Sequence, residues 1–363
     1  MRLGIDTSSL LETRAAGGRY FVNGKEVEPL SFLHDHNGVD ILRLRIWVDP
    51  YDEKGRPYGG GTCDLQTFLT LAKEGVTKGY AILLDFHYSD FWCDPGKQLI
   101  PKSWRGLDLP HLVEKLGEYT RETLKTVKEA GIPLYAIQIG NEITNGMLWP
   151  LGHLDGGENG AKRTNYDALC ALLSRGIKEA KAIYPEAKIV IHLERSFDQN
   201  VYREYFDELL AHHVEFDVIG MSYYPEWHGS FDMVFSNVDL MKKTYGKPIW
   251  IVEFAYPFTE EIAYEESKGA PQVEYSFPLP YPCTQQGQAD YIGELMRLSE
   301  LHGVEALFYW EPLWLPCPGL TWATKIGEAY TGETDKPCAN EWAAKGLFDF
   351  KGEATKALWV YSK

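Results

Sequence analysis

Residues 112–142 read LVEKLGEYTRETLKTVKEAGIPLYAIQIGNE and contain two hydrophobic periods in succession. Apolar side chains at helical spacing predict an amphipathic helix over 112–127 that ends at Gly131, since glycine favours helix C-termini. The apolar run at 134–140 then predicts a buried strand. Outward from this stretch the alternation continues along the whole chain, with strand-like runs at 3–6, 40–47, 80–86, 134–140, 188–193, 217–222, 248–253 and 304–310.

This alternation predicts the architecture. Strands that alternate with helices form βαβ units on a parallel sheet, and eight such units favour a closed (β/α)8 TIM barrel. The alternative, an open doubly wound sheet, usually carries a glycine-rich turn after its first strand. Here Asp6-Thr7-Ser8-Ser9 stands at that place instead. No linker or low-complexity segment divides the chain, so we predict a single barrel domain over residues 1–363.

Composition excludes several classes of function. The 52 acidic and 36 basic residues give a net charge of −16, which repels phosphate backbones, so no nucleic-acid partner is expected. No run approaches the roughly 18 apolar residues of a membrane span, so no membrane partner is expected either. The N-terminus lacks the charged and apolar regions of a signal peptide. We expect a secreted, periplasmic or cell-surface protein whose signal peptide is absent from this sequence, and a cytoplasmic protein is the alternative.

The C-terminal ends of the strands carry the chemistry of barrel enzymes. The fourth strand runs into Asn141-Glu142 and the seventh ends at Glu253. Strands four and seven lie nearly opposite each other in an eight-stranded barrel, so their carboxylates can face each other, as glycoside hydrolysis requires. A single glutamate at such a position is often part of a structural ion pair, but two on the appropriate strands favour catalysis. Long loops after the strands are expected to form a substrate groove, at 88–108, 143–163, 256–284 and 312–350.

Several motifs around these positions resemble one enzyme family. The segment 140–150, GNEITNGMLWP, is similar to the acid/base motif of glycoside hydrolase family 53, the arabinogalactan endo-β-1,4-galactanases. The resemblance covers about residues 3–362. It also includes the segments GIDTSSLLE at 4–12, LRLRIWVDP at 42–50, DFHYSDFW at 85–92, SYYP at 222–225 and WEPLW at 310–314. It implies a retaining, endo-acting hydrolase whose partner is a polysaccharide, the β-1,4-galactan (type I arabinogalactan) side chains of pectin, with no obligate protein partner.

The resemblance also implies roles for individual residues. Glu142 becomes the acid/base and Glu253 the nucleophile. We expect Asn141 to bind the sugar 2-hydroxyl and Arg45 to keep the nucleophile ionised. A tyrosine of the sixth strand can bond the same carboxylate, and we favour Tyr223 over Tyr224, although the one-residue alternation leaves the choice open. Trp310 is expected to form a stacking floor. The glycone side is expected to be lined by His87, Asp90 and Trp92.

Metal and cysteine chemistry are weakly indicated. None of the six cysteines has zinc-site spacing, although one pair among Cys283, Cys317 and Cys338 can form a disulfide in the late loops. Some bacterial members of the family bind calcium through a loop after the seventh strand. Here that loop, TEEIAYEE at 259–266, lacks the closely spaced oxygen ligands that calcium prefers. We therefore predict no cofactor and no metal.

Two other functions stay open. One is a different retaining barrel glycosidase, such as an exo-β-galactosidase, an endo-glucanase or a mannanase. The other is a barrel that binds polysaccharide without catalysis, which the two intact glutamates disfavour. His192 and His228 are more often satisfied core histidines than substrate ligands, and Trp149, Trp227 and Trp314 can either extend the groove or fill the core.

Overall fold

The computed structural model describes residues 1–156, 162–261, 263, 276–332 and 341–363. Eight parallel strands form a closed barrel in which each strand pairs with the next one along the chain and the eighth pairs with the first. The predicted TIM barrel is therefore confirmed. Its strands are β1 (Arg2–Asp6), β2 (Ile41–Ile46), β3 (Ala81–Phe86), β4 (Leu134–Ile139), β5 (Lys188–Leu193), β6 (Val218–Tyr223), β7 (Ile249–Phe254) and β8 (Ala306–Trp310).

Helices surround the barrel, and the helix predicted over 112–127 lies within Leu109–Glu129. Side-chain caps fix several of the first turns, as where Asp64 accepts a hydrogen bond from the backbone N–H of Thr67 at 2.8 Å. The last helix begins only after Thr355. The helices are α1 (Leu10–Ala15), α2 (Pro29–Asn37), α3 (Leu65–Thr77), α4 (Leu109–Glu129), α5 (Tyr166–Ile183), α6 (Gln199–Ala211), α7 (Pro225–His228), α8 (Phe231–Tyr245), α9 (Gln285–Leu301), α10 (Lys325–Thr331) and α11 (Lys356–Val360).

Three short 3₁₀ turns and two small hairpins complete the described structure. The turns are Lys102–Trp104, Ile143–Asn145 and Glu341–Lys345. One hairpin pairs Tyr20–Val22 with Lys25–Val27, and the other pairs Gly146–Met147 with Gly152–His153. Cys283 and Cys317 are not joined in a disulfide, and Cys338 lies outside the described residues.

The inside of the barrel changes from apolar to polar along the strand direction. Its lower half holds a buried apolar cluster that includes Trp250 and Phe308. Phe308 fills the interior so completely that a Cβ atom on Gly4 would lie 2.4 Å from its ring, which explains the glycine in β1. One alternation further along each strand, the inward positions are polar and buried: Asp6, Arg43, Asp85, Gln138, His192 and Ser222. The polar layer therefore stands at the C-terminal ends of the strands, where a barrel carries its site.

Candidate active site

A cavity of about 550 Å³ opens at the C-terminal ends of the strands. Glu142 and Glu253 both line it, together with predicted site residues from the ends of β3, β4 and β8. The residues that the sequence analysis named and that line this cavity are His87, Trp92, Asn141, Glu142, Tyr224, Trp227, His228, Glu253 and Trp310.

Glu253 is held by two partners, Arg43 from β2 on the far side of the barrel and Tyr224 directly after the neighbouring β6. Arg43 Nη1 lies 2.8 Å from Glu253 Oε1, and the Tyr224 hydroxyl donates to Glu253 Oε2 at 3.0 Å. Burial, opposed by the Arg43 charge, raises the pKa of Glu253 to about 7. Glu253 faces the cavity because the register between β6 and β7 shifts there: Val252 packs in the interior cluster, and the next residue also faces inward.

The choice of Tyr223 as the partner of Glu253 was wrong. Regular alternation along β6 places Ser222 and Tyr224 on the inner side of the barrel. Tyr223 instead packs edge-on against Phe231 among the surrounding helices, and its hydroxyl donates to the Gly229 carbonyl at 3.2 Å. The sequence could not decide the parity, because the β6 residues preceding these tyrosines are apolar or small on both faces.

Arg45 does not contact Glu253, so this prediction was also wrong. Its Nη1 atom lies 2.6 Å from Glu311 Oε1 and 3.2 Å from Asp6 Oδ1. Arg43, two residues earlier on the same inner face of β2, holds Glu253 and also pairs with Asp6 and Asp85 at 2.8 and 2.9 Å. Both arginines face inward, and only the closure of the barrel decides which carboxylate each one meets.

Glu142 lies directly after β4 in an unusual backbone conformation. Its φ of 49° and ψ of 48° are left-handed, a strained region for a residue with a side chain. Ser222 Oγ lies 2.5 Å from Glu142 Oε1. Burial raises the pKa of Glu142 well above its usual range, and the charges of Glu253 and Glu194 raise it further. Both carboxyl groups line the same cavity.

Asn141 and His192 form a buried hydrogen-bonded pair beside Glu142. Asn141 Nδ2 donates to the Cys93 carbonyl at 2.9 Å, and Asn141 Oδ1 accepts from Arg43 Nη2 at 2.8 Å. His192 lies with Nδ1 2.9 Å from Asn141 Oδ1 and Nε2 2.8 Å from Ser222 Oγ. His192 is completely buried and does not line the cavity, in agreement with its interpretation as a core histidine.

Aromatic rings form one wall of the cavity. Trp92 stacks on Trp322 with centroids 4.2 Å apart, and Trp310 meets Trp342 edge to face at 4.7 Å. Lys345 lies 4.0 Å from the centroid of the Trp342 ring and is ion-paired with Glu226, which fixes this tryptophan in place. Trp322 and Trp342 were not identified from the sequence, because they come from the long segment after β8, in which spacing gives no signal of position.

Asp90 does not line the cavity, contrary to the prediction. It is completely buried, and its Oδ2 atom accepts from the Lys102 backbone N–H at 2.7 Å and from the Tyr330 hydroxyl at 3.2 Å. It therefore anchors the loop after β3 to helix α10. His87 does line the cavity and is held by Asp85, whose Oδ2 lies 3.1 Å from His87 Nε2. Trp149 and Trp314 lie outside the cavity lining.

The described ranges contain no group of three or more histidine, cysteine, aspartate or glutamate side chains placed to hold a metal ion. The predicted absence of calcium concerned the loop 259–266, half of which lies outside the described residues. Within those same ranges, no helix combines the length and apolar character needed to cross a membrane.

Two carboxyl groups in one cavity walled by tryptophans, Glu253 buried and Glu142 partly buried, can carry out acid and nucleophilic chemistry on a sugar ring. Comparisons with known proteins agree. The chain is 32% identical over 378 residues to an endo-beta-1,4-galactanase of Bacillus subtilis, covering 99% of this chain and 84% of that protein. It superposes on the family 53 catalytic domain of Ignisphaera aggregans with a TM-score of 0.86 and 38% identity, covering 99% and 94% of the two chains.

A fungal beta-1,4-galactanase structure gives a TM-score of 0.77 and 30% identity, with 99% of this chain and 98% of that chain covered. The sequence pattern of the family described as "Glycosyl hydrolase family 53" matches residues 2–361, nearly the whole sequence. The chain therefore belongs to glycosyl hydrolase family 53.

Proposed function

We propose that this protein is a retaining endo-β-1,4-galactanase that cleaves the galactan side chains of pectin. The observation that carries the proposal is the pair of glutamates in one cavity, of which Glu142 is neighboured by a serine and Glu253 by an arginine and a tyrosine. The family and the relatives named as galactanases support the reaction and the substrate.

The two environments support different roles for the two residues. Arg43 and Tyr224 stabilise the ionised form of Glu253, so its pKa is raised only to about 7. Glu142 has no cationic partner at hydrogen-bond distance within the described structure, and its pKa is raised further by burial and by the Glu253 charge. When the pair loses its first proton, that proton therefore leaves Glu253. Glu253 is then the nucleophile and Glu142 the acid, as the separation of pKa values in such pairs requires.

The proposed reaction has two steps. In the first, Glu253 Oε attacks the anomeric carbon as the glycosidic C–O bond breaks, and Glu142 transfers its proton to the departing oxygen. The resulting ester removes the negative charge of Glu253, so Glu142 becomes more acidic and is now a carboxylate. In the second step Glu142 takes a proton from water, the hydroxide attacks the anomeric carbon, and Glu253 leaves as a carboxylate. Two displacements at one carbon retain its configuration.

The aromatic wall supports a pyranose substrate. Galactose has an axial 4-hydroxyl, which leaves C–H groups on one ring face to stack on an aromatic plane. We propose Trp310 as the floor for the reacting sugar, with Trp342 and Trp92 beside it. The second candidate function is another barrel glycosidase, because the fold is shared with a β-1,4-mannanase and xylanases at 11–15% identity, a likeness that concerns the fold alone.

A substrate panel tests this proposal. The purified protein is incubated with galactan, cellulose and mannan, and new reducing ends and product lengths are followed over time. We expect cleavage of galactan alone, with mixed oligomers appearing early, as internal cleavage produces. Cleavage of cellulose or mannan but not of galactan would refute the substrate assignment, and galactose as the only early product would indicate an exo-acting enzyme.

The nucleophile assignment has its own test. Glu253→Ala is expected to lose most activity, and added azide is expected to restore part of it by attacking an activated galactoside in place of the missing carboxylate. Glu142→Ala, measured in parallel, keeps the nucleophile and loses the acid. Azide should give an α-galactosyl azide by one displacement in the Glu253 variant and a β-galactosyl azide by two displacements in the Glu142 variant, and the opposite pair of configurations would reverse the two roles.

The remaining expectations about the protein are part of the same proposal. A polysaccharide outside the cell is the natural substrate of such an enzyme, so we propose that the protein acts outside the cytoplasm. We also propose that one catalytic domain spans residues 1–363 and works without a cofactor or an obligate protein partner. Activity that survives treatment with a chelator and is unchanged over a range of protein concentrations is the expected result.

A further inference from the structure

We propose that the Ser222 hydroxyl and the His192 imidazole form a switch that keeps Glu142 in its proton-donating form in the free enzyme and reverses once the proton has left. This inference rests on the function proposed above. The three groups lie in a row: Glu142 Oε1 is 2.5 Å from Ser222 Oγ, and Ser222 Oγ is 2.8 Å from His192 Nε2. Ser222 and His192 are both completely buried.

The direction of these hydrogen bonds is set at the far end of the row by Asn141. Its amide nitrogen donates to the Cys93 carbonyl at 2.9 Å, and its oxygen accepts from Arg43 Nη2 at 2.8 Å. If the Asn141 amide were flipped, its nitrogen would face the donor Arg43 Nη2 and its oxygen would face the Cys93 carbonyl oxygen. These neighbours therefore fix the orientation of the amide. Asn141 Oδ1 therefore faces His192 Nδ1 at 2.9 Å, and Nδ1 must carry the proton of this bond.

Two other donors approach the same ring nitrogen, but less closely. Gln138 Nε2 lies 3.2 Å from His192 Nδ1 and has nearer acceptors in Asp85 Oδ1 at 2.6 Å and the Gly140 carbonyl at 3.0 Å. The backbone N–H of Glu142 is 3.4 Å away, at the long limit of a hydrogen bond. The shorter bond to Asn141 therefore decides the tautomer.

His192 is neutral in this position. Burial lowers the pKa of His192 well below its usual range, and the Arg43 charge and the nearby His87 and His228 lower it further. A neutral imidazole with its proton on Nδ1 has a lone pair on Nε2, which accepts the Ser222 hydroxyl proton. With its one proton directed at His192, Ser222 Oγ accepts from Glu142 in the free enzyme, whereas a Ser222 hydroxyl that donates to Glu142 lowers the pKa of that carboxyl.

The arrangement reverses during the reaction. When Glu142 gives its proton to the leaving oxygen, the Ser222 hydroxyl rotates about its Cβ–Oγ bond and donates to the new carboxylate. Ser222 keeps its proton throughout, and only the acceptor of its hydrogen bond changes from His192 Nε2 to Glu142 Oε1. The lone pair on His192 then lacks a donor, which favours the return of the hydroxyl once water has reprotonated Glu142.

Fixed charges also act on Glu142, and the switch must be separated from them. Glu253, Glu194 and Asp94 all disfavour its ionised form. These three charges do not change when the neutral His192 is replaced. A shift in the pKa of Glu142 on such a replacement therefore reports the orientation of the Ser222 hydroxyl. A Ser222 hydroxyl free to donate stabilises the carboxylate and lowers its pKa.

The test follows the Glu142 carboxyl by ¹³C NMR in the free protein, with its resonance identified by its loss in Glu142→Gln. The wild type is compared with His192→Phe, Ser222→Ala and the double variant. In His192→Phe the hydroxyl has only Glu142 as a partner, so Glu142 is expected to titrate about one pH unit lower, with the alkaline limb of kcat/KM shifted in the same direction. In the double variant the titration should match that of Ser222→Ala alone.

An equal downward shift with and without Ser222, or a uniform loss of activity with unchanged titration, would overturn the proposal. Thermal unfolding checks that each variant is folded. His192→Asn repeats the test if His192→Phe does not fold, because its short amide can donate to Asn141 but cannot reach Ser222. The NMR titration uses no substrate, so a protein that shows the switch but fails to cleave galactan would refute only the proposed function.

Discussion

Replacing Tyr224 by phenylalanine isolates one hydrogen bond to the proposed nucleophile. The change deletes the hydroxyl 3.0 Å from Glu253 Oε2 and keeps the ring, which packs against Trp227 and Trp342. A hydrogen bond to a charged group contributes about 1.5–3 kcal/mol, which corresponds to a fall in kcat of about 10- to 150-fold. Because Arg43 stays at 2.8 Å from the same carboxylate, activity should be reduced and not abolished.

The pH dependence of kcat/KM gives a second test of the Tyr224→Phe prediction, in which the direction of the shift matters. The Tyr224 hydroxyl lowers the pKa of Glu253, so its loss should move the acidic limb of kcat/KM to higher pH. The assay is the initial rate of reducing-end release from galactan as a function of pH. Tyr223→Phe is the matched control, because its hydroxyl donates to the Gly229 carbonyl; it should lose about 1 kcal/mol of stability and little activity. A larger loss of kcat in the Tyr223 variant than in the Tyr224 variant would refute the reasoning.

Three further predictions concern stability and binding. Glu142→Gln should unfold at a higher temperature than the wild type, and the gain should grow as the pH rises above the pKa of a glutamate in the unfolded chain. The reason is that Glu142 in the folded wild type retains a proton that the unfolded chain releases above its own pKa. Calorimetry at acidic and neutral pH measures the difference in stability between the two proteins, and a difference that does not change with pH would contradict this prediction. Trp342→Ala should raise KM for galactan, because about 0.5–1.5 kcal/mol of stacking is lost. Trp149→Ala, which changes a residue outside the cavity, should leave KM unchanged. Initial rates measured against substrate concentration test both expectations. Asp90→Asn should lower Tm and leave kcat/KM close to the wild-type value, because Asp90 anchors a loop; a kinetic loss without a change in Tm would place it at the substrate instead.

The barrel could be predicted from the sequence because its signal is local. Each strand is a short apolar run between helical segments, and all eight predicted runs correspond to observed strands within a few residues at either end. The positions of Glu142 and Glu253 in one cavity also followed, since strand order alone brings the ends of β4 and β7 to the same face.

The partners of the two glutamates could not be predicted, because they depend on the closed barrel. Arg43 and Arg45 both point inward, and the stagger between strands decides that Arg43 meets Glu253. The sequence does not show that Tyr224, and not Tyr223, faces inward. Residues on both faces of β6 are buried, so the burial pattern does not reveal which side chains point into the barrel. Trp322 and Trp342 come from a long segment whose path over the barrel has no periodic signal in the sequence.

The four carboxyl groups around Arg43 and Arg45 outnumber these two guanidinium groups, since Asp6, Asp85, Glu253 and Glu311 share them. Burial raises the pKa of Glu253 and of Glu311 to about 7, and the charge of Asp6 acts in the same direction. In the proposed reaction, esterification of Glu253 by the sugar removes one carboxylate from this group. The two guanidinium groups then face three ionisable carboxyl groups, so the balance of charge beneath the cavity differs between the two displacements.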